Sequence, residues 1–276
     1  MILKKNSLLL IVGVFVLILI FPNMIFASAD ECYEVPYLIA AEGENPPTTT
    51  LCKLGLVEAD ACVYIENADI AILPGEDMYA NLLPGTRSQG EIEHSFINDS
   101  EICLVEVSAS EIKEILECGV ACLTLNDKTK QIEYSESEFD GYPQISGFSY
   151  EVDLPGKAGS RIMRITLEDG TKLDLNDNET TYTLATTEKY LDGTYGYKCK
   201  GNYKKTGHTE SDVMEKFLNS GVLTSKYEPD GAVTYAGTTS YSIASSLKLG
   251  PVAGICVLIV AFFSLKSIRV KEKLYL

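Results

Sequence analysis

Histidine is almost missing from this chain of 276 residues, which has only His94 and His208. They lie far apart in sequence, and neither has a neighbour at metal-ligand spacing, so they supply no metal site. No G-x-S-x-G elbow accompanies them, and neither has a recognisable partner for a serine or cysteine nucleophile. Glycine-rich phosphate loops are missing too. Positive charge is scarce: 23 Lys and Arg stand against 39 Asp and Glu, a formal net charge of −16. Seven of the 23 basic residues but only one of the 39 acids lie outside residues 30–247, which leaves the body more acidic still. Such a surface is a poor partner for nucleic acid or an anionic membrane, and it suits the solubility of an exported domain. On this reading the chain has no catalytic residue, no metal and no cofactor, and each His is a surface residue.

The ends carry the strongest hydrophobic runs. Lys4 and Lys5 precede an apolar stretch over residues 8–21, and Phe26-Ala27-Ser28-Ala29 offers small residues before Asp30. That is the pattern of a secretory signal over residues 1–29, with an uncleaved anchor as the alternative. Residues 249–265 carry no charge and reach the lower limit for a bilayer-spanning helix. Lys266, Arg269, Lys271 and Lys273 follow at once, which predicts a cytoplasmic tail over residues 266–276 and a body outside the membrane. The basic end also argues against a lipid-anchor signal.

There are eight cysteines: Cys32, Cys52, Cys62, Cys103, Cys118, Cys122, Cys199 and Cys256. Cys256 falls in the apolar span. Export predicts some disulfides among the other seven, and the odd number leaves at least one thiol over. Cys118 and Cys122, read as one helical turn apart, would face the same way. Cys103 falls inside an apolar strand and reads as a buried thiol.

Residues 101–120 have the most decisive local pattern. Ile102, Leu104, Val105 and Val107 form a strand, and Ser108 stands three residues before Glu111 at capping-box spacing. Ile112, Ile115 and Leu116 then give a helix one apolar stripe, and Gly119 ends it. Upstream, residues 42–50 with Pro46-Pro47 read as a linker or exposed loop. Leu54, Val57 and Ala61 have helical spacing and lead into an apolar strand over residues 68–73. Downstream, residues 126–140 are a polar insertion, and 142–147 and 148–152 read as strands. Asp169-Gly170 marks a hairpin, residues 182–186 are a strand, and Thr209 with Asp212 starts a helix that Gly221 stops. Residues 226–248, rich in Ser, Thr, Gly and Tyr, read as a stalk. Strands following helices in this order predict an α+β fold with a mixed or antiparallel sheet and a few packed helices, plus one C-terminal transmembrane helix. Asn98-Asp99-Ser100 and Asn178-Glu179-Thr180 are glycosylation sequons.

The run V-E-V-S-A-S-E-I over residues 105–112 resembles the V-E-V-T-G-x-Q-I of the 5′-nucleotidase C-terminal domain. Leu54, Asp60, Ala61 and Ala68-Asp69-Ile70-Ala71 are similar to the family's N-L-x-x-D-A helix and A-D-I-A strand, and residues 142–147 to its F-L-Q-V-S-G. The resemblance implies a domain over residues 51–225, after a lead-in at 30–50. It also implies a nucleoside or nucleotide ligand. Tyr190, aligned with the family's stacking aromatic, Phe96, near its second one, and Tyr79, aligned with the arginine of N-G-G-G-I-R, are the candidate binding residues. The chain departs from the family where ligands are held. Pro74-Gly75-Glu76-Asp77-Met78-Tyr79 replaces the glycine turn, and its two acids repel phosphate; Tyr195 replaces an Asp. The family's metal-binding half, with its D-x-H and G-N-H[DE] motifs, has no counterpart in this sequence. The resemblance therefore implies a membrane-anchored extracytoplasmic domain without catalysis of its own, tied to nucleotide catabolism through a metallophosphatase partner or as a degenerate nucleoside binder. The alternative is a surface interaction or adhesion protein that kept the fold and lost the ligand.

Overall fold

The computed structural model describes residues 31–41, 47–121, 123–126, 128, 132–134, 141–228 and 231–236. The expected signal, transmembrane helix and basic tail lie outside these residues. No helix among the described residues is long and apolar enough to cross a membrane.

β1 (Cys32–Val35) opens the fold, followed by α1 (Lys53–Glu66) and β2 (Ile70–Pro74). A 3-10 turn at Gly75–Asp77 leads to β3 (Gly85–Ser88) and α2 (Gln89–Glu93). β4 (Glu101–Ser108) and α3 (Ala109–Gly119) form the strand and helix read from the sequence. The expected capping box is present: Ser108 N–H donates to Glu111 Oε2 at 2.9 Å and Glu111 N–H to Ser108 Oγ at 3.3 Å. Then come β5 (Leu123–Leu125), β6 (Ile132–Tyr134), β7 (Pro143–Ser146), β8 (Phe148–Val152) and β9 (Ile162–Leu167). β10 (Thr181–Thr187), α4 (Glu188–Leu191), β11 (Lys204–Thr209), α5 (Glu210–Ser220) and β12 (Ala232–Tyr235) complete the order.

Five strands form the central sheet in the order β11-β4-β10-β2-β7. Only β10 and β2 run parallel in it; the other neighbours are antiparallel. Pro74 faces Pro143 at the end of the β2–β7 ladder, where neither residue has an N–H to extend the pairing. Alternation along β2 divides the core. Ile70 and Ile72 pack with Val105, Val107, Leu184 and the α3 stripe of Ile112, Ile115 and Leu116. Ala71 and Leu73 face the other way, against Leu54 and Val57 of α1 and Val213, Met214 and Phe217 of α5. A second sheet, β12-β8-β9, lies in the α3-side core with Phe148, Tyr150 and Ile165. The α+β class and mixed sheet are as the sequence implied.

Four expectations need correction. Residues 30–50 are not simply an irregular lead-in. β1 pairs antiparallel with β3, and Tyr33, Val35, Ile39 and Ala41 are buried. Pro47 is buried as well, because Gln144 Nε2 donates to the carbonyls of Pro47 and Thr50, both at 2.9 Å, and Gln144 Oε1 accepts from Cys52 N–H at 2.9 Å. This is also why residue 55 is glycine: a Cβ there would stand 2.4 Å from Gln144 Cγ. Second, the expected stalk begins with β12, which pairs parallel with β8 and buries Val233 and Tyr235. Val233 and Tyr235 are buried between exposed Ala232 and Thr234, a period of two that the polar residues around it conceal. Third, α3 ends at Gly119, just past Cys118; the expected partner on its face, Cys122, lies outside the described residues. Arg161 Nη1 donates to the carbonyls of Val120, Ala121 and Leu123 just past that end. Fourth, His208 is more than a surface residue, since its Nδ1 lies 2.7 Å from Glu66 Oε1. Among the described cysteines, Cys52, Cys62, Cys103, Cys118 and Cys199 are free thiols, and Cys103 is fully buried.

Candidate functional site

Parallel pairing has one geometric consequence in this sheet. Leu184 faces Ile70 and Ala185 faces Ala71, so β2 and β10 end on the same side and their C-terminal loops meet. Ligand sites of α/β sheets form at such ends. The turn Gly75–Asp77 follows β2, and α4 with the loop over residues 192–197 follows β10.

In this chain the two loops bind each other. Lys189 Nζ lies 2.6 Å from Glu76 Oε1 and 2.8 Å from Asp77 Oδ1. Asn98 Nδ2 donates to the same Asp77 oxygen at 2.7 Å, and Tyr195 O–H donates to Glu76 Oε1 at 2.5 Å. Tyr190 O–H donates to the Gly141 carbonyl, and its ring meets that of Tyr195 edge-on with centroids 4.8 Å apart. Asp77 is fully buried, while the Glu76 and Lys189 side chains keep about a quarter of their surface exposed. Burial lowers the Lys189 pKa, but the bonds to Asp77 and Glu76 outweigh it and hold the ammonium above its ordinary value. Burial first, and then the bond to Glu76, push the Tyr195 phenol far up, so it is a neutral donor.

Beneath this lattice lie more acids. Glu58 of α1 and Glu210 of α5 are both fully buried, and Asp77 and Asp99 act on each of them electrostatically. Asp99 accepts from Ser211 N–H at 2.8 Å and from its hydroxyl at 2.9 Å. Ser100 N–H donates to Glu210 Oε2 at 2.7 Å.

The three candidate aromatics are placed apart. Tyr190 is fully buried in the core on the α3 side of the sheet, among Tyr142, Tyr195 and Tyr197. Phe96, buried beside Met78 through an antiparallel bridge, belongs to the core on the α1 side. Tyr79 is 53% exposed and packs edge-on against His94 at 5.5 Å. The sequence reading weighs Glu76 and Asp77 for what they repel and misses the cation they attract. Lys189, Asn98, Glu58 and Glu210 all escape it. A readable signal exists for Lys189, a lone base in the β10 loop opposite an acid pair in the β2 loop.

Chemically, the lattice offers neutralised carboxylates, one engaged ammonium and a neutral phenol. Among the described residues, no group of three or more His, Cys, Asp or Glu side chains is arranged to hold a metal ion.

No curated protein matches the chain. Solved structures do resemble it. The 5′-nucleotidase precursor of Thermus thermophilus is 19% identical, with a TM-score of 0.58 over 84% of this chain and 43% of that one. The NAD nucleotidase of Haemophilus influenzae is 15% identical, with a TM-score of 0.53 over 74% of this chain and 37% of that one. A sulfate thiohydrolase of Thermus thermophilus is 17% identical, with a TM-score of 0.52 over 77% of this chain and 36% of that one. At these identities the likeness is one of fold, and the chain spans less than half the length of each relative. The family described as 5′-nucleotidase, C-terminal domain, matches residues 40–201, well over half of the chain. The chain is a member of the 5′-nucleotidase C-terminal domain family.

Proposed function

We propose that this protein is a non-catalytic, membrane-anchored extracytoplasmic domain that contributes to nucleotide catabolism through a separate metallophosphatase. The observation that carries this reading is the Lys189 ammonium, held between Glu76 and Asp77 at 2.6 and 2.8 Å. A lysine so engaged is not offered to a phosphate, and the two acids beside it oppose one. Tyr190, already packed on Tyr195, cannot stack on a base unless the loop opens. The substrate-side fold is thus kept while its own side chains occupy the inherited ligand end. Hydrolysis then has to come from the metal-bearing partner, and the anchoring from residues 249–265.

The test is a calorimetric titration of the purified full-length chain with adenosine and AMP, with and without divalent metal, together with a phosphate-release assay. The expected result is no saturable heat and no phosphate from the chain alone, with release once a metallophosphatase from the same host is added. Metal-dependent release of phosphate from AMP by the chain alone would sink the proposal.

A second reading is favoured by one surface feature. Tyr79 and Ile97, 53% and 56% exposed, stand on the segments bridged at Met78 and Phe96, an apolar rim beside the closed loops. On that reading the protein is an adhesion or interaction module. Loss of host-surface attachment on Tyr79→Ser with Ile97→Ser, with nucleotide turnover unchanged, would select it.

A further inference from the structure

α1 and α5 meet over two side chains that apolar packing should exclude. Glu58 lies in the middle of α1 and Glu210 at the first position of α5, and neither has any exposed surface. Glu210 is tied to the turn before β4: its Oε2 accepts from Ser100 N–H at 2.7 Å, and its own N–H donates to the Ser100 carbonyl at 3.1 Å. Its other oxygen and both oxygens of Glu58 are sealed from solvent and receive no hydrogen bond from any described residue. Yet the two carboxyl groups lie within hydrogen-bonding reach of each other. Two acceptors hold that position only with a proton between them, since adjacent carboxylates in a dry interior repel and the Ser100 N–H, the one donor to the pair among the described residues, reaches only Glu210 Oε2.

The surroundings do not supply a substitute. From the turn after β2, Asp77 presents a further buried oxygen, Oδ2, without a partner. Asp99, from the turn before β4, adds a charge already satisfied by Ser211. Cys62, on α1 with Glu58, is a thiol pushed well up by its burial and by these carboxyls, so it stays neutral. Lys189, from α4, acts on Glu210 at a distance, but its bonds go to Glu76 and Asp77. Among the largest charge effects on the pair, Lys189 is the one cation, set against Asp77 and Asp99.

We infer that Glu58 and Glu210 share a single proton at neutral pH and form an acid-locked clasp between α1 and α5, which loosens as the solution turns alkaline. The step is a plain acid dissociation: the O–H bond of the shared proton breaks, hydroxide or buffer base takes the proton, and two carboxylates are left face to face. Release would be felt at the Ser100–Glu210 junction and at Asp77, hence in the loop that carries the closed site. This inference is independent of the nucleotide reading.

Infrared spectroscopy of the full-length protein at neutral pH tests it directly. The wild type should show the carbonyl stretch of a protonated carboxylic acid, and either Glu58→Gln or Glu210→Gln should abolish it, because the new amide donates to the remaining carboxylate. A wild-type spectrum without that band overturns the clasp with no variant needed, and so does a band that both variants leave unchanged. Amide exchange supplies a second readout. Protection at Ser100 and Glu210 should fall as the solution is made alkaline by more than intrinsic base catalysis accounts for. An excess of equal size in Glu58→Gln would assign the loosening to other groups and overturn the proposal.

Discussion

Lys189 and Asp77 face each other 2.8 Å apart across the ends of two parallel strands, with Asp77 wholly buried and Lys189 reaching it from a partly exposed stem. The pair closes the end of the sheet, and its removal has a definite sign. Lys189→Met should leave a buried carboxylate with only the Asn98 amide, at a cost of about 2–4 kcal/mol, below the range for a fully dry pair because Lys189 keeps contact with water. Urea unfolding of the variant measures it. A loss under half a kilocalorie per mole would mean that the lattice is ornamental.

Stability should fall with rising pH. Burial first, then the charges of Glu210 and Asp77 on Glu58 and those of Asp77 and Asp99 on Glu210, hold both carboxyls well above the ordinary value of 4.5. The folded state therefore keeps protons that the unfolded chain has already released. The contribution is complete below that ordinary value and is lost as pH climbs through the raised one. Thermal midpoints of the wild type should decline across this window, and those of Glu58→Gln should decline less. Parallel profiles would refute the assignment.

Gln144→Leu tests the tether between the lead-in and the sheet. The substitution strands the Cys52 N–H and the carbonyls of Pro47 and Thr50 inside the protein, so the expected loss is about 2–5 kcal/mol. Conservation of volume makes it distinct from a cavity mutant. Exchange protection should drop first over residues 47–52.

Tyr190→Ala opens a large hole in the core and should cost about 3–5 kcal/mol, whereas Tyr190→Phe keeps the ring and removes the hydroxyl with its bond to Gly141, at about 1 kcal/mol. Any ligand titration on the alanine variant would thus report folding instead of recognition. Comparing the two midpoints decides the matter.

In a host that glycosylates sequons, Asn178 should carry a glycan and Asn98 should not. Both asparagines are exposed and both amides are engaged, but Asn178 Nδ2 donates to the Asn176 carbonyl at 3.0 Å within an exposed turn, whereas Asn98 Nδ2 donates at 2.7 Å to the fully buried Asp77. Mass spectrometry of tryptic peptides reads the outcome; a glycan on Asn98 would show that the lattice forms late or opens readily.

The scaffold is legible because it is built from local signals. Ser108 with Glu111, Thr209 with Asp212, and the alternation along β8 each require only a few neighbouring residues. The site is not, because its partners come from five separate segments: Glu58, Asp77, Asn98, Lys189 and Glu210 meet only when the parallel pair of β2 and β10 and the α1–α5 contact exist. Gln144 shows the same limit, since nothing near it in sequence announces that one amide satisfies groups more than ninety positions away. β12 is hidden differently: its few alternating residues sit inside a stretch whose composition resembles that of a spacer.

The pairing of β12 with β8 also sets how the domain bears load. Residue 236 leaves directly from the end of β12, so tension applied to the C-terminal end of the chain enters the fold through that strand. Four residue pairs, from Ala232 opposite Ser149 to Tyr235 opposite Val152, lie side by side along it. Tension directed along the strand meets these pairs together instead of one by one, and the buried Tyr142–Tyr235 hydroxyl contact at 2.6 Å adds a rivet at the point of entry.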